Sequence, residues 1–380
     1  MATFISRLPH VRSASGIRLA VKDLIDVEGV PTTAGSRAVA ETATPADRDA
    51  ACMAGARAAG VAIVGKANLH ELAYGGAGIN EWFGTPVNPL DPDLLPGGSS
   101  SGSAVAVADG EADVAYGSDT GGSVRIPAAF CGITGLKTTH GRVSLDRVWP
   151  LAPSLDTVGP MARDIAGVVT GMALLEPGFV VDVPPARQVG RVRPAGFDVD
   201  PRIDAAVDAA LARSGLEVAE ADLPGWLAAR GACGVILDAE ALESNRALLA
   251  GPAKRALIGP NVTARFAAAE AVTAEQVAGA RAAQPGWREA LAGALRTVGL
   301  LALPTVPFYP PPLAAAPGLH FTAFTNAVNL AGFPALALPV PSAHDRLPAS
   351  LQLIGPPGSE ALLLATGAVI AASAGYRRSS

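Results

Sequence analysis

An α/β fold is what the sequence predicts, on three observations. Short apolar, strand-like runs alternate with alanine-rich runs of helical length. Glycine and proline fall at the joints between them. Finally, 49% of the 380 residues are hydrophobic and only 17% charged, the balance of a chain with a buried core rather than a disordered one. That length accommodates one large domain or two ordinary ones. No solenoid-like repeat is present.

The elements follow in chain order. "IRLAVKD" (Ile17–Asp23) reads as a strand, "DRDAACMAGARAAG" (Asp47–Gly60) as a helix closed by glycine, and "VAIVGKA" (Val61–Ala67) as the next strand. "SGSAVAVADG" (Ser101–Gly110) reads as a helix that opens out of a serine-rich loop, and "DVAYGSD" (Asp113–Asp119) as a strand. A helix follows Arg163, and a proline-rich break follows the helix. From about Arg191 to Gly299 the alanine-rich pattern predicts mostly helix. Strands resume at Leu300–Pro307, Ala335–Pro341 and Ala349–Gly355 before a last helix.

Composition excludes several classes of function. A net charge of −5 with no basic cluster gives nucleic acid no electrostatic footprint. The longest apolar run, "ALLLATGAVIAA", has about half the length a bilayer requires, so no membrane partner is expected. Cys52, Cys131 and Cys233 are too dispersed for a disulfide framework or a thiolate metal site. The opening "MATFISRLPH" lacks the apolar centre of a secretory leader, which makes a cytoplasmic location the expectation. Lysine is confined to Lys22, Lys66, Lys137 and Lys254 in a chain that otherwise uses arginine. A lysine can lose its proton when buried, whereas arginine keeps its own.

Chemistry concentrates in two glycine-serine stretches, "PGGSSSGS" (Pro96–Ser103) and "GSDTGGSVRIP" (Gly117–Pro127). A flexible linker fits the first poorly, because structured sequence flanks it. A phosphate loop would need a lysine directly after its glycines, and none is there. Gly98 to Gly102 matches the letters of a nucleophile elbow, but a proline-rich loop leads into it where a strand is required. "HELAY" (His70–Tyr74) begins like a zinc motif, with Tyr74 in place of the second histidine.

A further arrangement uses Lys22, Ser99 and Ser123 together. A serine needs a base to become a nucleophile, and a neutral buried lysine can serve. A second serine, being donor and acceptor at once, can pass the proton between them. "DTGGS" would offer successive backbone N–H groups to a developing oxyanion, with glycine allowing close approach. The spacing permits this arrangement, but taken alone the residues favour a plainer one, in which Lys22 lies at the surface and both loops are tight turns.

The motifs "AVKDLIDVEGVPTTAGS", "PGGSSSGSAVAVADG", "GSDTGGSVRIPAAFCGITGLK" and "SLDTVGPMARD", in this order, resemble the amidase signature family of serine amidases. The likeness is dense from Gly16 to Arg163 and resumes at "FTNAVNLAGFPALALPVP". It implies a single domain over 1–380 with a central mixed β-sheet flanked by helices. Within it would lie a catalytic core at 16–165, a variable helical region at 191–299 and a C-terminal part at 300–380 that returns to the sheet. It also implies a Ser–cis-Ser–Lys triad: Ser123 as nucleophile, Ser99 on a cis peptide bond as bridge, and Lys22 as base. Thr120, Gly121, Gly122 and Ser123 would supply the oxyanion N–H groups, and Ser100 would join the Lys22 network. Arg125, close to Ser123, is read as structural rather than as a carboxylate clamp. Ser101 and Ser103 are assigned to the start of the helix.

No metal or organic cofactor is implied. The expected partners are a small-molecule amide and water, and the chain would act as a monomer or homodimer. The substrate implied is a small aryl or alkyl primary amide of the indole-3-acetamide kind. Ala73, Tyr74, Gly75, Gly76, Trp149, Phe321 and Phe324 are expected to line its pocket. An amidotransferase-type subunit that hands ammonia to a partner, and a binding protein that keeps the fold, are the alternatives. Departures from the family pattern are the short sequence before Lys22, trimming in the middle region, Ser101 where glycine is common and Thr138 where proline is.

Overall fold

Two patches of parallel strands, joined by an antiparallel centre, make one mixed sheet of eleven strands. The computed structural model describes residues 2–9, 13–316, 318–344 and 346–376. In chain order the strands are β1 (Phe4–Arg7), β2 (Arg18–Lys22), β3 (Ala62–Ala67), β4 (Val114–Ser118), β5 (Thr134–Lys137) and β6 (Val158–Ala162). They continue with β7 (Gln188–Val192), β8 (Glu217–Ala221), β9 (Leu300–Pro304), β10 (Ala335–Val340) and β11 (Ala349–Ile354). Their order across the sheet is β1-β3-β2-β4-β6-β5-β10-β11-β9-β7-β8. The chain is thus a single α/β domain, with helices packed against the sheet.

The strands that carry the site lie in the first parallel patch. β2 pairs in parallel with both β3 and β4, and Val21 stands opposite Tyr116. Lys22 and Ser118, the last residues of β2 and β4, therefore reach the same edge of the sheet, where parallel strands commonly present functional groups. The helix Ser101–Ala108 packs behind them and is buried on every residue. Only small side chains fit there: a Cβ on Gly102 would stand 2.4 Å from the Thr3 carbonyl oxygen and 2.5 Å from the Asn68 nitrogen. Neither expected serine caps this helix. Ser100 occupies the N-cap position without a side-chain capping bond, Ser103 Oγ donates to the Tyr116 carbonyl, and Ser101 Oγ has no partner among the described residues.

The middle region is less purely helical than its composition predicts. β7 and β8 extend the sheet, and β7 pairs in parallel with β9. Strand β8, "EVAEA", is an edge strand with its glutamates exposed, so polar alternation masks it among helix-forming residues. Two central strands, β5 and β6, also escape the sequence pattern because of their glycine and proline content. Packing explains one of these residues: a Cβ on Gly159 would lie 2.0 Å from the Leu136 carbonyl oxygen. The helix expected at Asp47–Gly60 is shorter than predicted, a 3₁₀ turn at Ala51–Met53 followed by α-helix at Ala54–Ala58.

The long helices Trp226–Ser244 and Ala274–Val298 cover the C-terminal segment that faces the site. Their tryptophans meet edge to face, with ring centroids 5.7 Å apart. Each also anchors that segment: Trp226 Nε1 donates to the Ala323 carbonyl at 3.0 Å and Trp287 Nε1 to that of Ala327 at 2.6 Å. Among the described residues no helix is long and apolar enough to cross a membrane. Trp226 is fully buried, so Trp226→Ala should lower stability by about 3–5 kcal/mol. A drop in the urea midpoint with unchanged slope is the expected readout, and an unmoved midpoint would contradict this packing role.

Candidate active site

Lys22 is buried at the end of β2, with Nζ 2.7 Å from Ser99 Oγ and 2.8 Å from Ser118 Oγ. Burial draws its pKa down to about 7, although Asp119 and Asp156 act in the opposite direction. Burial thus favours the uncharged amine. The peptide bond between Gly98 and Ser99 is cis, as the resemblance implies. Glycine is required on its approach: a Cβ on Gly98 would lie 2.6 Å from the Gly78 nitrogen. The Ser99 carbonyl accepts the His70 N–H at 2.9 Å, which ties the loop to the "HELAY" segment.

Ser123 lies in the turn between β4 and the helix Arg125–Cys131, and its carbonyl accepts the Ser100 N–H at 3.2 Å. Among the described residues no hydrogen bond joins the Ser99 and Ser123 hydroxyls. Ser100 differs from its expected place in the Lys22 network, because its hydroxyl donates to the Ser118 carbonyl at 3.2 Å. The second hydroxyl on Lys22 is that of Ser118, which the sequence reading did not single out. It sits inside the quoted "GSDTGGS", and only the parallel register of β2 and β4 brings it to the lysine.

The loop that follows is organised by Asp119. Its carboxylate accepts the N–H of Gly122 at 2.8 Å and of Val124 at 3.2 Å, together with Asn329 Nδ2 at 2.8 Å. Arg125 grips it through two bonds, Nε at 3.0 Å and Nη2 at 2.9 Å. Burial works against this carboxylate, yet the Arg125 charge and hydrogen bonds hold its pKa well below the usual range. Arg125 is itself fully buried and spends its remaining donors on Gln352, Asn329 and the Thr325 carbonyl, so it is a structural residue here. Of the four expected oxyanion donors, Gly122 is already occupied by Asp119. The N–H groups of Thr120, Gly121 and Ser123 make no hydrogen bond among the described residues.

A narrow cleft opens onto Ser123, lined also by Thr120, Gly121, Ile126, Leu151 and Leu237. Ala73, Tyr74, Gly75 and Gly76 line it as expected. Three other residues do not. Trp149 faces a separate cavity beside Arg147 and Leu248, and its Nε1 donates to Asn245. Phe321 lies behind Gly76 and meets Phe130 and Phe308 edge to face. Phe324 is fully buried against Phe197, on a different pocket beside Arg191. The backbone turns the two phenylalanines into the core and leaves Trp149 half-buried on the other cavity.

Arg265, from the helix Pro260–Ala269, also reaches the cleft, and the sequence carried no signal for it. Its guanidinium lies over the Tyr74 ring, 4.1 Å from the centroid, and 3.5 Å from Asp238 Oδ1. Tyr74 donates its hydroxyl to the same oxygen at 2.6 Å. His70, beneath Gly75, is buried and its pKa is pushed down to about 3, chiefly by that burial, so the ring is neutral.

The family model described as Amidase matches residues 10–176 and 183–364. The chain is similar to a glutamyl-tRNA(Gln) amidotransferase subunit from Thermus thermophilus, 37% identical over 92% of this chain and 83% of the relative. It is likewise similar to the 2-amino-5-chloromuconic acid deaminase of Comamonas testosteroni, 36% identical over 92% of this chain and 79% of that protein. A crystal structure of an amidase superposes with a TM-score of 0.84 at 33% identity, covering 96% of this chain and 86% of the other. With a family match across both halves of the chain, and a buried lysine among serines beside a loop of free N–H groups, the chain belongs to the amidase signature family of amide hydrolases.

Proposed function

We propose that this enzyme hydrolyses a small linear amide through an acyl-enzyme on Ser123. The observation that carries the reading is the buried Lys22, held between two serine hydroxyls rather than against a carboxylate. Neutral Lys22 accepts a proton from Ser99, and Ser99 takes one from Ser123 as its oxygen attacks the substrate carbonyl. The Ser99–Ser123 link must close for this step, and catalytic hydrogen bonds of this kind often tighten only with substrate in place. The N–H groups of Thr120, Gly121 and Ser123 bind the oxyanion. Collapse expels the amine, which takes the proton back from the relay. Water then cleaves the ester by the same route, leaving a carboxylic acid and the amine or ammonia.

Lys22 protonation sets the pH dependence. Its pKa of about 7 makes the base competent above that value and blocks it below. For a neutral substrate, kcat/KM should fall about tenfold per pH unit below 7 and level off above about 8. Lys22→Arg keeps the charge and removes the base, so a loss of about 10²–10⁴-fold is expected. Substantial amidase activity in that variant would overturn the mechanism. Ser123→Ala should release no ammonia or amine and should not label with a fluorophosphonate, whereas the wild type should do both without any partner protein. A wild type that labels but needs a second subunit for turnover would favour the amidotransferase reading.

The apolar wall of Ile126, Leu151 and Leu237 supports a small aryl or alkyl acyl group. Arg265, which also lines the cleft, favours a second reading, an amide whose acyl chain carries a carboxylate that competes with Asp238 for the guanidinium. A panel of matched amides with and without such a group separates the two. If the charged substrates are preferred, Arg265→Leu should raise their KM by at least about tenfold and leave the neutral amides within about twofold.

A further inference from the structure

The turn that opens the helix Asn326–Ala331 presses directly on the oxyanion loop. Thr325 is fully buried and touches no cleft surface, yet its Oγ1 donates to the Gly121 carbonyl at 2.5 Å. The other side of the same peptide is held as well, since Gly122 N–H donates to Asp119 Oδ1 at 2.8 Å. The Gly121–Gly122 peptide is thus fixed at both its acceptor and its donor. The flanking peptides carry the N–H groups of Gly121 and Ser123, two of the three donors left free. Because peptide units are planar, pinning the one between them restricts the direction of both.

The contact leaves no room for side chains in the loop. A Cβ on Gly122, whose φ is +129°, would stand 2.3 Å from Thr325 Oγ1, and one on Gly121 would stand 2.5 Å from Asn326 Oδ1. Thr325 is itself held in place. Its carbonyl accepts both terminal nitrogens of Arg125 at 3.4 Å, and the preceding Phe324 carbonyl accepts Gln352 Nε2 at 2.9 Å.

We propose that Thr325 is a positioning residue for the oxyanion: its hydroxyl aims the Gly121 and Ser123 N–H groups through the peptide between them. This rests on the reading of Ser123 as nucleophile. The negative oxygen exists only in the transition state and the tetrahedral intermediates, so misaligned donors slow the chemical step more than they weaken substrate binding.

Thr325→Val keeps the shape and removes the hydroxyl, whereas Thr325→Ser keeps the hydroxyl. For Thr325→Val, kcat should fall about 10–100-fold with KM within about threefold of wild type. Affinity for a boronic acid that forms a tetrahedral adduct on Ser123 should weaken by the same factor, and Thr325→Ser should recover kcat to within about threefold. Three results would each overturn the proposal: kcat within twofold of wild type in Thr325→Val, a fall in kcat with boronic acid affinity unchanged, or Thr325→Ser as impaired as Thr325→Val. Fluorophosphonate labelling separates the two readings. A wild type that fails to label undermines Ser123 itself, whereas a labelling wild type with an unaffected Thr325→Val removes only the role of Thr325.

Discussion

The buried ion pair between Asp119 and Arg125 is the interaction on which the rest of the site depends. A carboxylate taken out of water is tolerated only when its lone pairs are answered, and here a bidentate guanidinium, backbone N–H groups and an amide answer them. The arrangement curls residues 119–125 around the carboxylate, and that curl leaves Thr120, Gly121 and Ser123 with free N–H groups. It also joins three distant parts of the chain, because Arg125 continues to Gln352 on β11 and to Asn329 and Thr325 of the C-terminal segment. Removing either charge alone would strand the other in the core. The same carboxylate opposes the burial of Lys22 and keeps its pKa from falling further.

Three fully buried lysines show how the environment assigns roles to one side chain. Lys66 is paired with Asp23 at 3.0 Å and also donates to Thr32, an ion pair that shapes the turn after β2. Lys137 donates to the carbonyls of Thr138 and Phe333, and burial brings its pKa down to about 7. Lys22 alone of the three faces serine hydroxyls, groups that can both give and take a proton. A low pKa is thus common to Lys22 and Lys137, and it is their hydrogen-bond partners, serine hydroxyls against backbone carbonyls, that set them apart.

The helical region from 191 to 299 contributes more to the cleft than its composition suggested. It supplies Leu237 and Arg265 to the cleft, with Asp238 paired to Arg265, and its tryptophans brace the segment that carries Thr325. Glu71 fastens one of its helices to the core by accepting the Gly259 N–H at 2.8 Å, while also taking the Ser36 hydroxyl. The lysine–serine cluster therefore sits at the ends of the strands, and helices laid over it help to line the cleft.

The sequence by itself determined the α/β alternation and the two glycine-serine loops, the second of which borders the cleft. Those signals are local: strand and helix runs of distinct period, glycines where side chains cannot fit, and motif residues whose spacing fixes a short turn. Only the tertiary structure decided which distant groups meet. The parallel register of β2 and β4 brings Ser118 to Lys22, and the fold of the middle helices brings Arg265 to the cleft. It also turned Phe321 and Phe324 into the core, where burying a large apolar side chain is favourable, and left Trp149 facing a separate cavity. Strand pairing and core packing are properties of residues far apart in the chain, and no local pattern records them.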